Sequence, residues 1–296
     1  MKKIALLLTG QLRTYDFCKH IVKSTLLDKY DVDVFLAIST PATAEEVADV
    51  CEFYKPVGTY VAPMPECCVD EYLQLINQVD FFKCASVANN SPYLNSSREE
   101  QMEFLKRMLQ QCFILNEAYK LLQHHIQTTG IVYDLIIRFR FDHIYMSTIC
   151  SSITTAFNYN ASGHIICGSP GSDLYDRSIK SMQNISRTAT LILDDVKPDA
   201  IYVSGSGSSS CLSGQTSRKW CNDHNFIHSH NLIQIMGSYF DALPSLLNSM
   251  FTPDEYPAGP THEVFLYKYF EDNNLTIRHS LVNQVKLVTH HDRNTT

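Results

Sequence analysis

Arg138, Arg140 and Asp142 alternate with Phe139 and Phe141 at the end of an apolar run that starts at Leu135. Alternation of period two over β-branched and aromatic residues predicts a strand. It puts the two arginines and the aspartate on one face and the two phenylalanines on the other. Two guanidiniums and a carboxylate at a strand end are costly to bury without partners. One use for them is a structural ion pair. The other is a polyanion site, where the arginines hold phosphate oxygens and Asp142 holds a metal or a sugar hydroxyl.

Three more polar clusters fall at expected strand ends or helix starts: Gly10, Gln11 and Arg13; Asp223 with Glu263; and His290 with Asp292. A nucleotide-sugar site needs this set of parts. Backbone amides and an arginine hold a diphosphate. An aspartate holds Mg²⁺ or Mn²⁺ between the phosphate oxygens, and a second carboxylate deprotonates an acceptor hydroxyl. Each cluster also has a plainer reading: Asp223 as an N-cap, Glu263 as a charge in a helix first turn, His290 and His291 as a solvated tail. Other chemistries lack their motifs. The Gly-Gln-Leu-Arg loop at 10–13 is neither Gly-x-Gly-x-x-Gly nor Walker A, which disfavours a Rossmann dehydrogenase or a P-loop NTPase. There is no Gly-x-Ser-x-Gly elbow and no His-Glu-x-x-His.

The elements that must position these residues read as alternating strands and helices. Residues 3–8 form a short buried strand stopped by Gly10, and 15–27 carry helical spacing through Phe17, Ile21, Val22 and Leu26. Residues 33–38 form a second strand closed by Ser39, Thr40 and Pro41. Strand, loop, helix and strand make a βαβ unit and predict a parallel sheet, whose ligands bind beyond the carboxyl ends of the strands. The loop at 9–14 and the turn at 39–40 both lie there. Helices follow at 42–53, with Thr43 as N-cap, and in a mixed pattern at 67–82; residues 58–61 are a short strand. Ser97 and Glu100 fit a capping box opening a long helix to about His125, which leads through Gly130 into the arginine strand. Beyond Tyr145 the pattern weakens: 164–167 reads as a strand, while 174–187 and 188–194 are ambiguous. The Gly/Ser-rich stretch 204–214 is a surface linker or a lid that orders over a nucleotide. A helix at 231–247, another at 264–271 capped by Thr261, and strands at 275–279 and 285–289 complete the chain.

The chain has 296 residues and a formal charge of −7, with 45% hydrophobic and 19% charged residues. That is ordinary for a globular protein, and the acidic balance argues against a nucleic-acid partner. The ten cysteines form no Cys-x-x-Cys pair, which argues against a zinc ribbon or a thioredoxin-type site. The apolar stretch before Thr9 is too short for a signal peptide. No run is long enough for a transmembrane segment. Reduced cysteines in a cytoplasm are the consistent expectation.

The stretch 3–15 followed by 33–35, the helix segment 101–119, the strand 133–142, and the blocks 223–226 and 263–269 together resemble a group of glycosyltransferases encoded by bacterial polysaccharide loci and large DNA viruses. The likeness leaves out roughly residues 146–220. It implies an α/β fold of GT-A-like type, with a Rossmann-type, mostly parallel central sheet flanked by helices. It implies one glycosyltransferase domain over 1–296, with a nucleotide-sugar-binding half at 1–145 and an acceptor-binding and catalytic half at 146–296. The implied activity moves a sugar from a UDP-, GDP- or dTDP-sugar to a hydroxyl of a glycan acceptor, with metal assistance from Mn²⁺ or Mg²⁺ and with inversion as the outcome.

On that resemblance Thr9, Gly10, Gln11 and Arg13 line the nucleotide pocket, and Arg138 and Arg140 hold the diphosphate. Asp142 takes the place of the metal-binding Asp-x-Asp motif, with His290 closing the metal shell. The base is Asp223 or Glu263, with Glu263 preferred because it opens a helix. One departure stands out: Arg140 occupies the position of the first Asp of that motif, so arginine can replace part of the metal's charge. Localisation would be cytoplasmic, in the host cytoplasm if the protein is virus-encoded. Two alternatives are a non-catalytic nucleotide- or glycan-binding protein of the same fold and a nucleotide-sugar phosphoesterase.

Overall fold

The computed structural model describes residues 2–78, 97–146, 158–159, 165–169, 171–186, 193, 196–204, 221, 225–248, 262–280 and 284–289. The chain opens with β1 (Lys3–Gly10), α1 (Tyr15–Val22), β2 (Asp31–Ile38), α2 (Ala44–Tyr54) and β3 (Gly58–Val61). Ala5 and Leu7 of β1 enter one core, and Ile4, Leu6 and Leu8 the other. A continuous apolar run suits a parallel strand covered on both faces. Thr43 caps α2 as expected, with its hydroxyl accepting from Glu46 N at 3.1 Å.

After α3 (Glu66–Gln78) comes the long helix α4 (Arg98–Thr129). Its capping box is formed: Glu100 N donates to Ser97 Oγ at 3.2 Å, and Ser97 N to Glu100 Oε2 at 2.7 Å. The helix runs one turn past the expected end and stops where Gly130 turns left-handed at φ 71°. Its apolar stripe, including Leu105, Leu109, Cys112 and Tyr119, covers one face of the sheet.

β4 (Leu135–Arg140) lies parallel to β1, with Leu7 opposite Arg138 and Thr9 opposite Arg140. The remaining elements are β5 (His143–Met146), β6 (Asn158–Tyr159), β7 (Ile165–Ile166), α5 (Asp173–Ser186), β8 (Ala200–Ser204), β9 (Asn225–His228), α6 (Ile233–Gly237), α7 (Tyr239–Asn248), α8 (His262–Asp272), β10 (Thr276–Ser280) and β11 (Gln284–Thr289). Seven strands form the main sheet in the order β10-β8-β9-β4-β1-β2-β3. Only β9 runs against its neighbours there. The architecture is therefore α/β, with a mostly parallel, Rossmann-type sheet flanked by helices. Strands β5, β11, β7 and β6 form a second sheet.

Three local expectations change. The arginine strand ends at Arg140, and Asp142 sits in the two-residue turn before β5, so it leaves the strand's alternation. The helix expected at 231–247 breaks at Gly237, where a Cβ would stand 2.5 Å from Gln123 Nε2 of α4. Strands β8 and β9 appear where no strand was expected; each is too short to show a clear period. The Gly/Ser stretch beyond Ser204, Thr261, Asp223, His290 and Asp292 lie outside the described residues. Among the described residues no helix is long and apolar enough to cross a membrane.

Candidate functional site

The carboxyl ends of β1, β2 and β4 meet the amino-terminal half of α4 around a cavity of about 460 Å³. That volume falls in the range of small-molecule sites. Thr9, Gly10, Gln11, Arg13, Arg138, Arg140 and Asp142 all line it, together with Ser39 and Thr40 after β2. The seven residues expected from the first half of the chain are thus brought to one place.

Gly10 ends β1 at φ 112°, a region side chains rarely adopt. A Cβ there would meet nothing within 4 Å, so the conformation, not crowding, requires glycine. Gly10 O accepts from Ser39 N at 2.9 Å, which ties the first loop to the end of β2. Thr9 is buried and its Oγ1 accepts from Arg138 Nε at 3.1 Å. The Arg138 guanidinium also lies 5.7 Å from the centre of the Phe226 ring, a favourable cation–π position.

Behind Arg138 the structure avoids a second buried cation. His228 Nδ1 lies 2.8 Å from Ser229 O, and a carbonyl only accepts, so Nδ1 carries the proton. Its Nε2 then accepts from Tyr119 OH at 2.6 Å. Burial, with a smaller contribution from His230, lowers the His228 pKa from 6.5 to about 4, even though its bond to Ser229 works the other way. The ring is neutral at physiological pH.

Asp142 is only 3% exposed and is gripped from several sides. Arg140 binds it through two parallel contacts, Nε to Oδ1 and Nη2 to Oδ2, both at 3.0 Å. His143 Nδ1 meets Oδ1 at 2.7 Å, and Arg13 Nη1 stands 3.7 Å from Oδ2. Burial alone would raise the carboxyl pKa; the charges and hydrogen bonds of Arg140 and His143 outweigh it and hold Asp142 well below the usual carboxylate range.

This arrangement bears on the expected metal. An ionised carboxylate has about four lone-pair positions. Three at Asp142 take close hydrogen bonds, and the Arg13 guanidinium stands 3.7 Å from Oδ2. A divalent cation would need oxygen at roughly 2.0–2.2 Å, among guanidiniums that repel it. The described residues do not fit a resident metal at Asp142. Among the described residues no group of three His, Cys, Asp or Glu side chains could hold one.

The helix side of the cavity escaped the sequence reading. Glu103, Lys106, Arg107, Gln110, Gln111 and Ile114 of α4 line it. Gln110 Oε1 accepts from Met64 N at 2.7 Å, and Arg107 Nε reaches Glu103 Oε1 at 3.3 Å. The signal was present in the pairs Lys106–Arg107 and Gln110–Gln111, four residues apart and beside the apolar stripe. Among the described residues, five cationic side chains then face two carboxylates in the cavity, on a chain whose net charge is −7. Such a local excess favours an anionic ligand.

Of the second half of the expected site, Glu263 is the residue that the structure describes, and it does not line this cavity. Glu263 lies half-buried in the first turn of α8 and is absent from the lining. Its carbonyl accepts from Cys221 N at 3.2 Å. Asp223 and His290 lie outside the described residues. β11 does run antiparallel to β5, with Leu287 opposite His143, so its carboxyl end points back toward the Asp142 turn.

No family model and no curated protein matches the chain. Solved structures do. The chain is similar to the apo form of the glycosyltransferase GlyE of Streptococcus pneumoniae TIGR4, with TM-score 0.38 and 9% identity over 94% of this chain and 45% of that one. It therefore spans less than half of GlyE's length. It is also similar to core-mannan synthase A of Aspergillus fumigatus in its Mn/GDP form, with TM-score 0.41 and 10% identity over 97% and 74% of the two chains. Mouse xyloside xylosyltransferase 1, in its apo form, gives TM-score 0.35 and 9% identity over 95% and 85%. The roles of residues in this chain rest on its own cavity.

Proposed function

We propose that the chain is a GT-A-like glycosyltransferase that moves a sugar from a nucleotide-diphosphate sugar to a hydroxyl of a glycan acceptor. The observation that carries this reading is the cation-rich cavity at the carboxyl edge of β1, β2 and β4, where an open parallel sheet binds its ligands. Its described lining comes entirely from residues 9–142, which supports residues 1–145 as the donor half; 146–296 would then be the acceptor-binding and catalytic half. Thr9, Gly10, Gln11 and Arg13 would hold the nucleotide side of a UDP-, GDP- or dTDP-sugar. Arg138 and Arg140 would take the diphosphate and stabilise the charge that grows on it as the glycosidic bond breaks. The acceptor hydroxyl would lose its proton to Glu263 or Asp223, and a single base implies inversion. We place the activity in the cytoplasm, in that of a host if the gene is viral.

One observation favours a non-catalytic binder of the same fold: Glu263 does not line the cavity. The two readings separate in a release assay with donor and glycan acceptor. A transferase releases nucleoside diphosphate in an acceptor-dependent way. A binder takes up the donor and releases none, and a phosphoesterase releases it at the same rate without acceptor.

A further inference from the structure

The reaction read above needs charge neutralisation at the diphosphate, and the cavity offers two ways to supply it. One is a divalent cation on Asp142; the other is the cavity's own cations. Asp142 spends its oxygens on Arg140, His143 and Arg13. The other carboxylate in the described lining, Glu103, is paired with Arg107 at the surface. Asp142 is therefore not presented as an open metal ligand, and the exposed Glu103 is a single carboxylate on a separate element. Arg13, Lys106, Arg138 and Arg140, by contrast, face the same cavity from three separate elements, the β1 loop, α4 and β4. Cations spread around a cavity are what a diphosphate needs, because its charge is shared over several oxygens.

We infer that this site binds nucleoside diphosphates without a divalent cation, and that Asp142 is a positioning residue that fixes the Arg140 guanidinium. The inference rests on the nucleotide-sugar reading and goes beyond it in naming how the donor's charge is met. Geometry explains why an acid is retained beside two arginines. A long arginine loses side-chain freedom when it must point at a ligand, and the two-point contact with Asp142 removes that freedom before the ligand arrives. The planar fork of Arg140 is then held in one orientation at the cavity wall.

The test is calorimetric titration of the full chain with UDP, GDP and dTDP, in EDTA and again with saturating Mn²⁺. The expected result is that the nucleotide that binds does so in EDTA with a dissociation constant within about fivefold of that in Mn²⁺. A larger gain from Mn²⁺, or binding only in its presence, overturns the inference and leaves the nucleotide-sugar reading standing. Silence in both arms overturns both. Asp142→Asn supplies the readout for positioning: its affinity should fall by about tenfold in both arms alike, because Arg140 loses its charged anchor. A loss confined to the Mn²⁺ arm would make Asp142 a metal ligand. If Asp142→Asn does not fold, the wild-type comparison decides the matter alone.

Discussion

Arg140 and Asp142, two residues apart, close on each other through a pair of contacts, Nε to Oδ1 and Nη2 to Oδ2, each at 3.0 Å. The strand stops at Arg140 and the chain turns, so the carboxylate reaches back to the guanidinium it follows. With only 4% of the Asp142 side chain and 17% of that of Arg140 exposed, water screens this pair little, and breaking it leaves a buried charge. Arg140→Met should lower stability by about 3 kcal/mol in urea unfolding. Arg140→Lys keeps the charge but loses the fork, and should recover only part of that loss. A neutral effect of Arg140→Met would remove the clamp as a stabilising contact.

Acid should weaken the fold in two separable steps. His228 titrates lower in the fold, at about 4, than its ordinary 6.5. The unfolded chain therefore takes up the proton first as pH falls. The stability this group contributes is complete above about pH 6.5 and is lost between there and pH 4, a fall of about 3 kcal/mol. Asp142 is also depressed in the fold. Its contribution is complete above the unfolded carboxylate range and goes only as pH drops below about 4. Urea midpoints measured across pH should show the first slope in the wild type and lack it in His228→Gln.

Gly10→Ala probes the backbone alone, because a Cβ there meets no neighbour within 4 Å. Holding alanine at φ 112° should cost about 1–3 kcal/mol, read as a drop in melting temperature. The loop that carries Gln11 and Arg13 would shift with it, so nucleotide affinity should fall as well. An unchanged melting temperature would mean the loop relaxes freely.

Lys106 is exposed on α4 and lines the cavity. Reversing its charge tests the electrostatics without touching the core. Lys106→Glu should leave stability within about 0.5 kcal/mol and weaken nucleotide binding by about tenfold at low salt, with the difference shrinking as salt rises. Equal affinity in the variant would take the helix side out of the binding site.

Much of the scaffold was legible because it rests on local signals. The continuous apolar run of β1, the Thr43 and Ser97 caps and the stripe of α4 each depend on neighbours a few residues away. That Gly10, Arg13, Arg138 and Arg140 would gather at one edge was legible for the same reason: they lie at or near the carboxyl ends of strands that read as parallel. The turn at Asp142 was not. Alternation extrapolates smoothly, and it absorbed the one turn-favouring residue there, Asp142, as another polar position on the strand's charged face. The contribution of Lys106 and Gln110 was hidden too, because a helix's apolar stripe says which side is buried but not which polar flank overhangs a distant strand end. β8 and β9 were missed because four or five residues between polar segments carry no measurable period.

The most direct measurement is a thermal-shift panel of UDP-, GDP-, dTDP- and CMP-sugars on the full chain, with and without Mn²⁺. If the cavity between β1, β4 and α4 is a donor site, at least one of these sugars, well above its dissociation constant, raises the melting temperature by several degrees through mass action. Silence across the whole panel in both conditions would contradict the proposed function.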